Sequence, residues 1–494
     1  MRYYLGIDIG TFESKGVLVD SAGAIIASAA KPHRMIVPQA GWAEHRPIED
    51  WWNDFTFISQ KLLADSAINP RDIKAIGTSA IGPCMLPLDK SGAPLMNAVL
   101  YGVDTRAVQE INDLAAEIGE DVILEKCGNA LTSQSIGPKI LWLKRNRPDI
   151  YRNTRKIVTS TSYLVYRLTG ALVVDHYTAA NTGPIYDVEN RCFSDALTRD
   201  IIDLDRLPDL LWTTEIAGTV TQEAAEATGL AAGTPVICGT ADAAAEAISV
   251  GVLDAGDMMM MYGSTVFIIG LAAKRVRDQR LGYAPWLFDG QHALMSGLAT
   301  SGTLTHWFRE NVARELDPAS AFRELVEEAT LSPPGAKGLV MLPYFSGERT
   351  PIHDPNAKGV IFGLDLTHGR GDLYRALLEG IAFGTHHIFQ THDEAGETPH
   401  LIFAVGGGTK NKVWAQATSD ISGKTQIVRQ KTVGASYGDA FLAAYAVGDV
   451  KIDAIRDWNP VEYEFNPRRE YATLYKDKFK IFRELYVRNS DLMR

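Results

Sequence analysis

Two aspartates stand in places where a carboxylate needs a reason. Asp242 lies among alanines in "GTADAAAE", and Asp8 lies between glycines in "GIDIGTFESKGVLVD", residues 6–20. An unpaired charge in an apolar setting is costly. Asp242 can cap a helix predicted from about Ala243, or it can act as a base that takes a proton from a substrate hydroxyl during phosphoryl transfer. The motif by itself leaves both readings open.

Asp8 precedes a turn of small residues. A dinucleotide fingerprint requires GxGxxG at a strand-to-helix turn, and the spacing Gly6, Gly10, Gly16 fails it. After Gly10 the chain runs into an alternating apolar segment, so the stretch reads as a hairpin. Its tip, with Gly10 and Thr11, can gather backbone N–H groups into an anion-binding nest, and Lys15 can reach a phosphate. Asp8 would organise Mg²⁺ through waters, since that ion takes few carboxylates. The alternative is a plain edge hairpin. A second strand, glycine turn, strand pattern at Gly263, Ser264 and Thr265 favours phosphate binding. Gly406, Gly407 and Gly408 in "AVGGGTKNKVW" lie between a strand and a helix, where backbone can approach a ring or a phosphate closely; a tight turn is the other reading. A P-loop at "GKT" is excluded, because Thr418 stands where its first glycine would be.

The elements that must position these residues can be inferred from periodicity. The hairpin pattern at 3–20 recurs at 257–271, which suggests one structural unit used twice. Helical spacing at Trp51, Trp52, Phe55, Ile58, Leu62 and Leu63 precedes a buried strand in "RDIKAIGTSAIGPCMLPLD", giving α/β layering. A boundary is expected near Val250, dividing the chain into domains 1–250 and 251–494. In the second, "DLYRALLEGIAFGTHHIFQTH" reads as a helix capped by Asp372, with Gly380 and Gly384 admitting another helix, and the tail predicts a closing helix. His386 and His387 lack ligand spacing, Met258 to Met261 read as core strand, and Trp51 and Trp52 read as packing residues.

Composition bounds the function. At 494 residues the chain exceeds a single core, and 46% hydrophobic with 22% charged residues is ordinary for a soluble folded protein. The net charge of −11 argues against nucleic acid as a partner, so an anionic substrate must be held by local donors. Cys84, Cys127, Cys192 and Cys238 form no CxxC pair, which fits a reducing, cytoplasmic setting. No export signal or membrane-length apolar run is present, so no membrane partner is expected.

The order of these motifs resembles the FGGY carbohydrate kinases along nearly the whole chain. The likeness is closest to the xylulokinase-like, pentulose kinase branch at "GWAEHRPIEDWW", "PKILWLKRNRPDIY", "PYFSGERTPIHDPNAKGVIFGL" and "DLYRALLEGIAF". The resemblance implies two actin-like (ribonuclease H-like) ATPase domains of α/β class, with ATP, Mg²⁺ and a small sugar or polyol in an interdomain cleft; homodimers are common in the family. It implies Asp242 as catalytic base and Asp8 as the Mg²⁺-linked residue. Gly10, Thr11 and Lys15 match the first phosphate loop, Gly263, Ser264 and Thr265 the second, and Gly406 to Gly408 with Asn411 the adenosine site. The sugar side departs from the family. "AIGPC" from Ala80 to Cys84 puts Ile81 and Gly82 where relatives carry polar substrate contacts, "YGVDTR" keeps Asp104 and Arg106 but has Gly102 in place of tryptophan, and Ala243 follows the base. Such losses bear on which hydroxylated substrate is accepted. The expected activity is γ-phosphoryl transfer from ATP to a terminal hydroxyl of a pentulose such as xylulose. Alternatives are another pentulose, a tetrulose or an alditol, or, in a different class, an actin-like nucleotide switch with no sugar.

Overall fold

Tyr3–Ile9 is a strand whose every residue is buried, as expected for a strand covered on both faces. It pairs antiparallel with Glu13–Asp20 and parallel with Ile73–Ala80, and the seven-stranded sheet continues outward through Ile25–Pro32 on one side and Pro235–Ile237 on the other. Residues 1–494 are described in this computed structural model with the exception of Arg199. Helix Asn53–Ser66 covers one face of the hairpin, with Ile58 and Leu62 seated against Gly16.

On the other face lies helix Ala435–Ala446, and glycines make room for it. Gly6 and Gly77 are register partners in adjacent strands. A Cβ on Gly6 would meet the Ser436 carbonyl oxygen at 1.9 Å, and one on Gly77 would meet that of Asp439 at 2.1 Å. Gly438 admits helix Asp242–Ser249 in the same way, a Cβ there falling 1.9 Å from the Ala245 carbonyl oxygen. Two helices and a sheet thus meet with backbone nearly touching backbone, which only residues without Cβ permit.

The second sheet repeats the scheme. Asp257–Tyr262 pairs antiparallel with Val266–Ala272 and parallel with Leu401–Val405. Gln426–Arg429 and Val461–Phe465 extend it. The repeat seen in the sequence is therefore a repeat of topology. Helix Arg370–Glu394 starts two residues before Asp372, which is not the cap. Its carboxylate instead accepts from the Gly369 amide at 2.9 Å, Ser332 Oγ at 2.7 Å and Lys337 Nζ at 2.9 Å. Gly380 admits a strand, Val340–Leu342, rather than a helix: a Cβ would lie 2.5 Å from the Met341 carbonyl oxygen, while Gly384 meets the Leu298 side chain. Ala472–Asn489 forms the closing helix.

The chain forms two compact units. One comprises Met1–Leu253, Tyr283–Ala293 and Val433–Asn459, and the other comprises Asp254–Gly282, Leu294–Thr432 and Pro460–Arg494. The first break between the units falls after Leu253. Two segments of the second half nevertheless pack with the first, and helix Ala435–Ala446 is one of them. Among the described residues no helix is long and apolar enough to cross a membrane.

Candidate active site

The ends of Tyr3–Ile9 and Ile73–Ala80 and the start of Asp242–Ser249 bring four carboxylates of the first unit into one electrostatic neighbourhood: Asp8, Asp242, Glu246 and Asp439. Asp242 is the first residue of its helix and is partly exposed; Oδ1 accepts from the Ala243 amide at 2.7 Å. It thus sits at a helix start, as a capping role requires, yet the amide it holds is only that of the adjacent residue. Burial pushes its carboxyl up to about 6. Glu246, one helical turn on, is pushed up to about 7 by burial, with Lys15 opposing and Asp242 adding to the shift.

Asp8 is buried. Burial first, and then the charge of Asp242, raises its carboxyl well above the usual range. Ser79 Oγ lies 3.0 Å from Asp8 Oδ1 and 2.7 Å from Asp439 Oδ2. One hydroxyl has one proton to donate, so it can serve only one of the two carboxylates at a time. Asp439 has no exposed surface, its Oδ1 is without a hydrogen-bond partner, and burial followed by the charge of Asp8 raises it strongly. Lys15 is half exposed, 3.2 Å from Glu13 Oε2, and its charge is felt by both Asp8 and Glu246. Asp439 and Glu246 did not stand out in the sequence: "YGDAF" and "AAAEA" read as ordinary helix, and only the glycine contacts bring them here.

The hairpin tip is well braced. Gly10 N donates to the Glu13 carbonyl at 3.0 Å, and Thr11 Oγ1 is 3.1 Å from Tyr101 Oη. Lys139, from "PKILWLKRNRP", donates to the Tyr101 carbonyl at 2.9 Å, and burial lowers its pKa to about 8.

The residues of the expected sugar side are placed differently from one another. Ile81 is in the hydrophobic core and its amide donates to the Ile9 carbonyl at 2.8 Å, while Gly82 reaches partial exposure beside Ala241. Asp104 and the Arg106 side chain have no exposed surface. Asp104 receives Arg106 Nε at 2.9 Å and the Ala43 amide at 2.7 Å, and Arg106 also reaches Glu44 at 2.9 Å while stacking 3.9 Å over Trp42. That pair braces the 43–44 backbone, and Arg106 Nη1 is its one polar atom left without a partner. Burial holds the Cys84 thiol up at about 12, so it is inert at neutral pH.

The second unit holds a cavity of about 610 Å³, large enough for a nucleoside. Gly263, Ser264, Gly407, Gly408 and Asn411 line it. Thr265 and Gly406 serve just behind: the Thr265 carbonyl accepts from Gly263 N at 3.1 Å, and Gly406, at φ +89°, leaves room for the Tyr262 carbonyl oxygen, which a Cβ would approach to 2.7 Å. Asn411 caps helix Lys412–Ser422, accepting from the Trp414 amide at 3.1 Å. The apolar wall comes from Phe322, Val326, Tyr374 and Trp414, with Trp414 edge-on to Tyr262 at 4.7 Å. Of these, Trp414 lies within the glycine motif, and the others come from helices with no local signal. Residues 301–303 support the hairpin turn: Ser301 N and Gly302 N donate to Ser264 and Gly263 carbonyls at 3.1 and 3.0 Å.

The chain matches known proteins over these same residues. The N-terminal domain of the FGGY family of carbohydrate kinases matches residues 3–249, and the C-terminal domain of that family matches residues 258–447. The chain is 30% identical to a xylulose kinase of Escherichia coli (strain K12) across 99% of this chain and 100% of the relative. To a xylulose kinase of Bacillus subtilis (strain 168) it is 29% identical across 100% and 98%. The crystal structure of xylulose kinase from Rhodospirillum rubrum superimposes with a TM-score of 0.93 at 30% identity, covering all of both chains. Paired hairpins, a cluster of carboxylates and a nucleoside-sized cavity therefore occur in a chain that matches both family domains, and this protein belongs to the FGGY family of carbohydrate kinases, phosphotransferases of the actin-like ATPase fold.

Proposed function

We propose that the protein transfers the γ-phosphoryl group of ATP to a terminal hydroxyl of a pentulose, xylulose. The observation that carries this reading is Asp242, a partly exposed carboxylate held by a single amide, with its pKa raised toward neutrality. Such a group orients a substrate hydroxyl and takes its proton as the oxygen attacks phosphorus in line. The full-length likeness to proteins named xylulose kinase supports the choice of sugar.

Thr11, Lys15, Gly263 and Ser264 would hold phosphate oxygens, and the cavity with Gly407, Gly408 and Asn411 would hold the adenosine. Asp8 fits Mg²⁺ bound through water: no group of three or more potential protein ligands exists among the described residues, and the crowded carboxylates lack a compensating cation beyond Lys15. Bound there, Mg²⁺ would neutralise phosphate charge. Gly82 would border the sugar, with Asp104 and Arg106 bracing that wall from behind. ATP use and four free cysteines support a cytoplasmic setting.

The test is coupled ADP release over ketopentoses, tetruloses and alditols, in wild type and Asp242→Asn. Xylulose should give the highest kcat/KM, and the variant should lose about 10²–10⁴-fold in kcat. A variant within tenfold of wild type would sink the assignment of the base, and a better substrate than xylulose would replace the sugar.

A further inference from the structure

Behind the tip of the first hairpin two imidazole rings meet edge to face with centroids 4.9 Å apart. His33 Nε2 lies 3.0 Å from the Gly10 carbonyl oxygen, and His45 Nε2 lies 3.1 Å from that of Thr11. A carbonyl can only accept, so both nitrogens donate. The other side of His45 fixes its tautomer. Its Nδ1 accepts the Trp51 indole N–H at 3.1 Å, and burial lowers the ring's pKa to about 4, so it is the neutral Nε2–H form.

His33 differs. Its Nδ1 lies 2.9 Å from Asp54 Oδ2. Burial pushes the Asp54 carboxyl up, but hydrogen bonds from His33, Lys31 and Ser14 outweigh it and leave the group below its usual range. Lys31 Nζ is 2.7 Å from Oδ1, and Ser14 Oγ donates to Oδ2 at 2.8 Å. The Nε2–H of His33 is thus committed to the hairpin, while Nδ1 is anchored between the Asp54 carboxylate and Ser14 Oγ, 3.3 Å away.

A trans peptide holds its N–H opposite its C=O. Tying the Gly10 and Thr11 carbonyls back to the histidines turns the amides of Thr11 and Phe12 the other way, and neither amide has a backbone partner among the described residues. These two donors are what a nest offers to phosphate oxygens.

We propose that His33, held in place by Asp54, is a positioning residue that aims the Thr11 and Phe12 amides at the nucleotide's polyphosphate. This rests on the reading that the hairpin grips phosphate.

The test measures the dissociation constant of the Mg²⁺ complex of the non-hydrolysable β,γ-imido analogue of ATP, together with the KM for xylulose. His33→Phe should bind the nucleotide about tenfold more weakly, the factor for roughly 1.4 kcal/mol, while the sugar KM stays unchanged. His33→Gln, which keeps a donor for the Gly10 carbonyl, should recover part of that loss. Gly10→Ala, whose methyl would lie 2.7 Å from the Glu13 carbonyl oxygen, separates the role of the ring from that of the hairpin. If it weakens nucleotide binding while His33→Phe stays within twofold of wild type, the inference on His33 falls and the phosphate grip stands. If neither variant changes nucleotide affinity, the grip itself falls.

Discussion

At the scale of single residues, the fold raises the pKa of several crowded carboxylates, and the proposed base is one of them. With Asp242 raised to about 6, only its ionised form can accept a proton, so kcat/KM for the sugar should fall as pH drops below about 6 and level off above it. An acid limb that is unchanged in a variant with residual Asp242→Asn activity would disprove the link. Asp439 makes a prediction about stability. Its carboxyl ionises near the ordinary value of about 4 in the unfolded chain and well above that in the folded one. The folded state therefore binds more protons, and the group's contribution is full at acid pH and lost as pH rises through the folded value. Asp439→Asn should raise the melting temperature at pH 8 and change it little at pH 4.5. A gain of equal size at both pH values would show that the effect is not ionisation. Neither Asp439 nor His33 was legible in the sequence. The Ser79 to Asp439 hydrogen bond spans 360 residues, and His33 sits in "KPHRM", where nothing local marks a ring aimed at Gly10. Asp8, Asp242 and the glycine turns were legible, because their unusual neighbours are adjacent in the chain.

At the scale of elements, glycines decide where helix Ala435–Ala446 lies and so where its carboxylate goes. A methyl at position 77 would sit 2.1 Å from the Asp439 carbonyl oxygen, and backbone cannot yield as a flexible side chain does. Gly77→Ala should destabilise by at least about 1–3 kcal/mol in urea denaturation, in line with overpacking of a filled core. It should also displace Asp439 from Ser79. A variant with wild-type stability would mean that the helix can slide. Helical and strand periods were readable for the two hairpins and the long helices around these glycines, but the partner of each buried face was not. Gly380 shows this. Its place on an apolar helix face predicts a close neighbour, and the neighbour is a strand.

At the scale of the whole molecule, one sheet topology is used twice, once in each compact unit. The first sheet is incomplete without a segment from near the other end of the chain. A fragment of residues 1–253 lacks helix Ala435–Ala446 and leaves bare the face that carries Gly6 and Gly77. It should express as an aggregating or dye-binding species without a cooperative melt, and joining residues 433–459 to it by a linker should restore one. A cooperative melt from 1–253 alone would contradict the assigned packing. The net charge of −11 acts at this scale too, leaving no broad positive field to attract an anionic ligand.

The sequence by itself determined the family, the α/β class and the doubled hairpin with its two glycine turns. These depend on short-range patterns: strand alternation, glycines that free a turn, and an aspartate with no local partner. Tertiary structure alone decided which carboxylates crowd Asp8, which rings tie back Gly10 and Thr11, and that Asp104 and Arg106 are spent on each other. Asp104 and Arg106 are two residues apart but are buried by Ala43 and Glu44; the other contacts join segments tens to hundreds of residues apart. Their energies come from burial and charge neutralisation, and these exist only once the chain has closed around them.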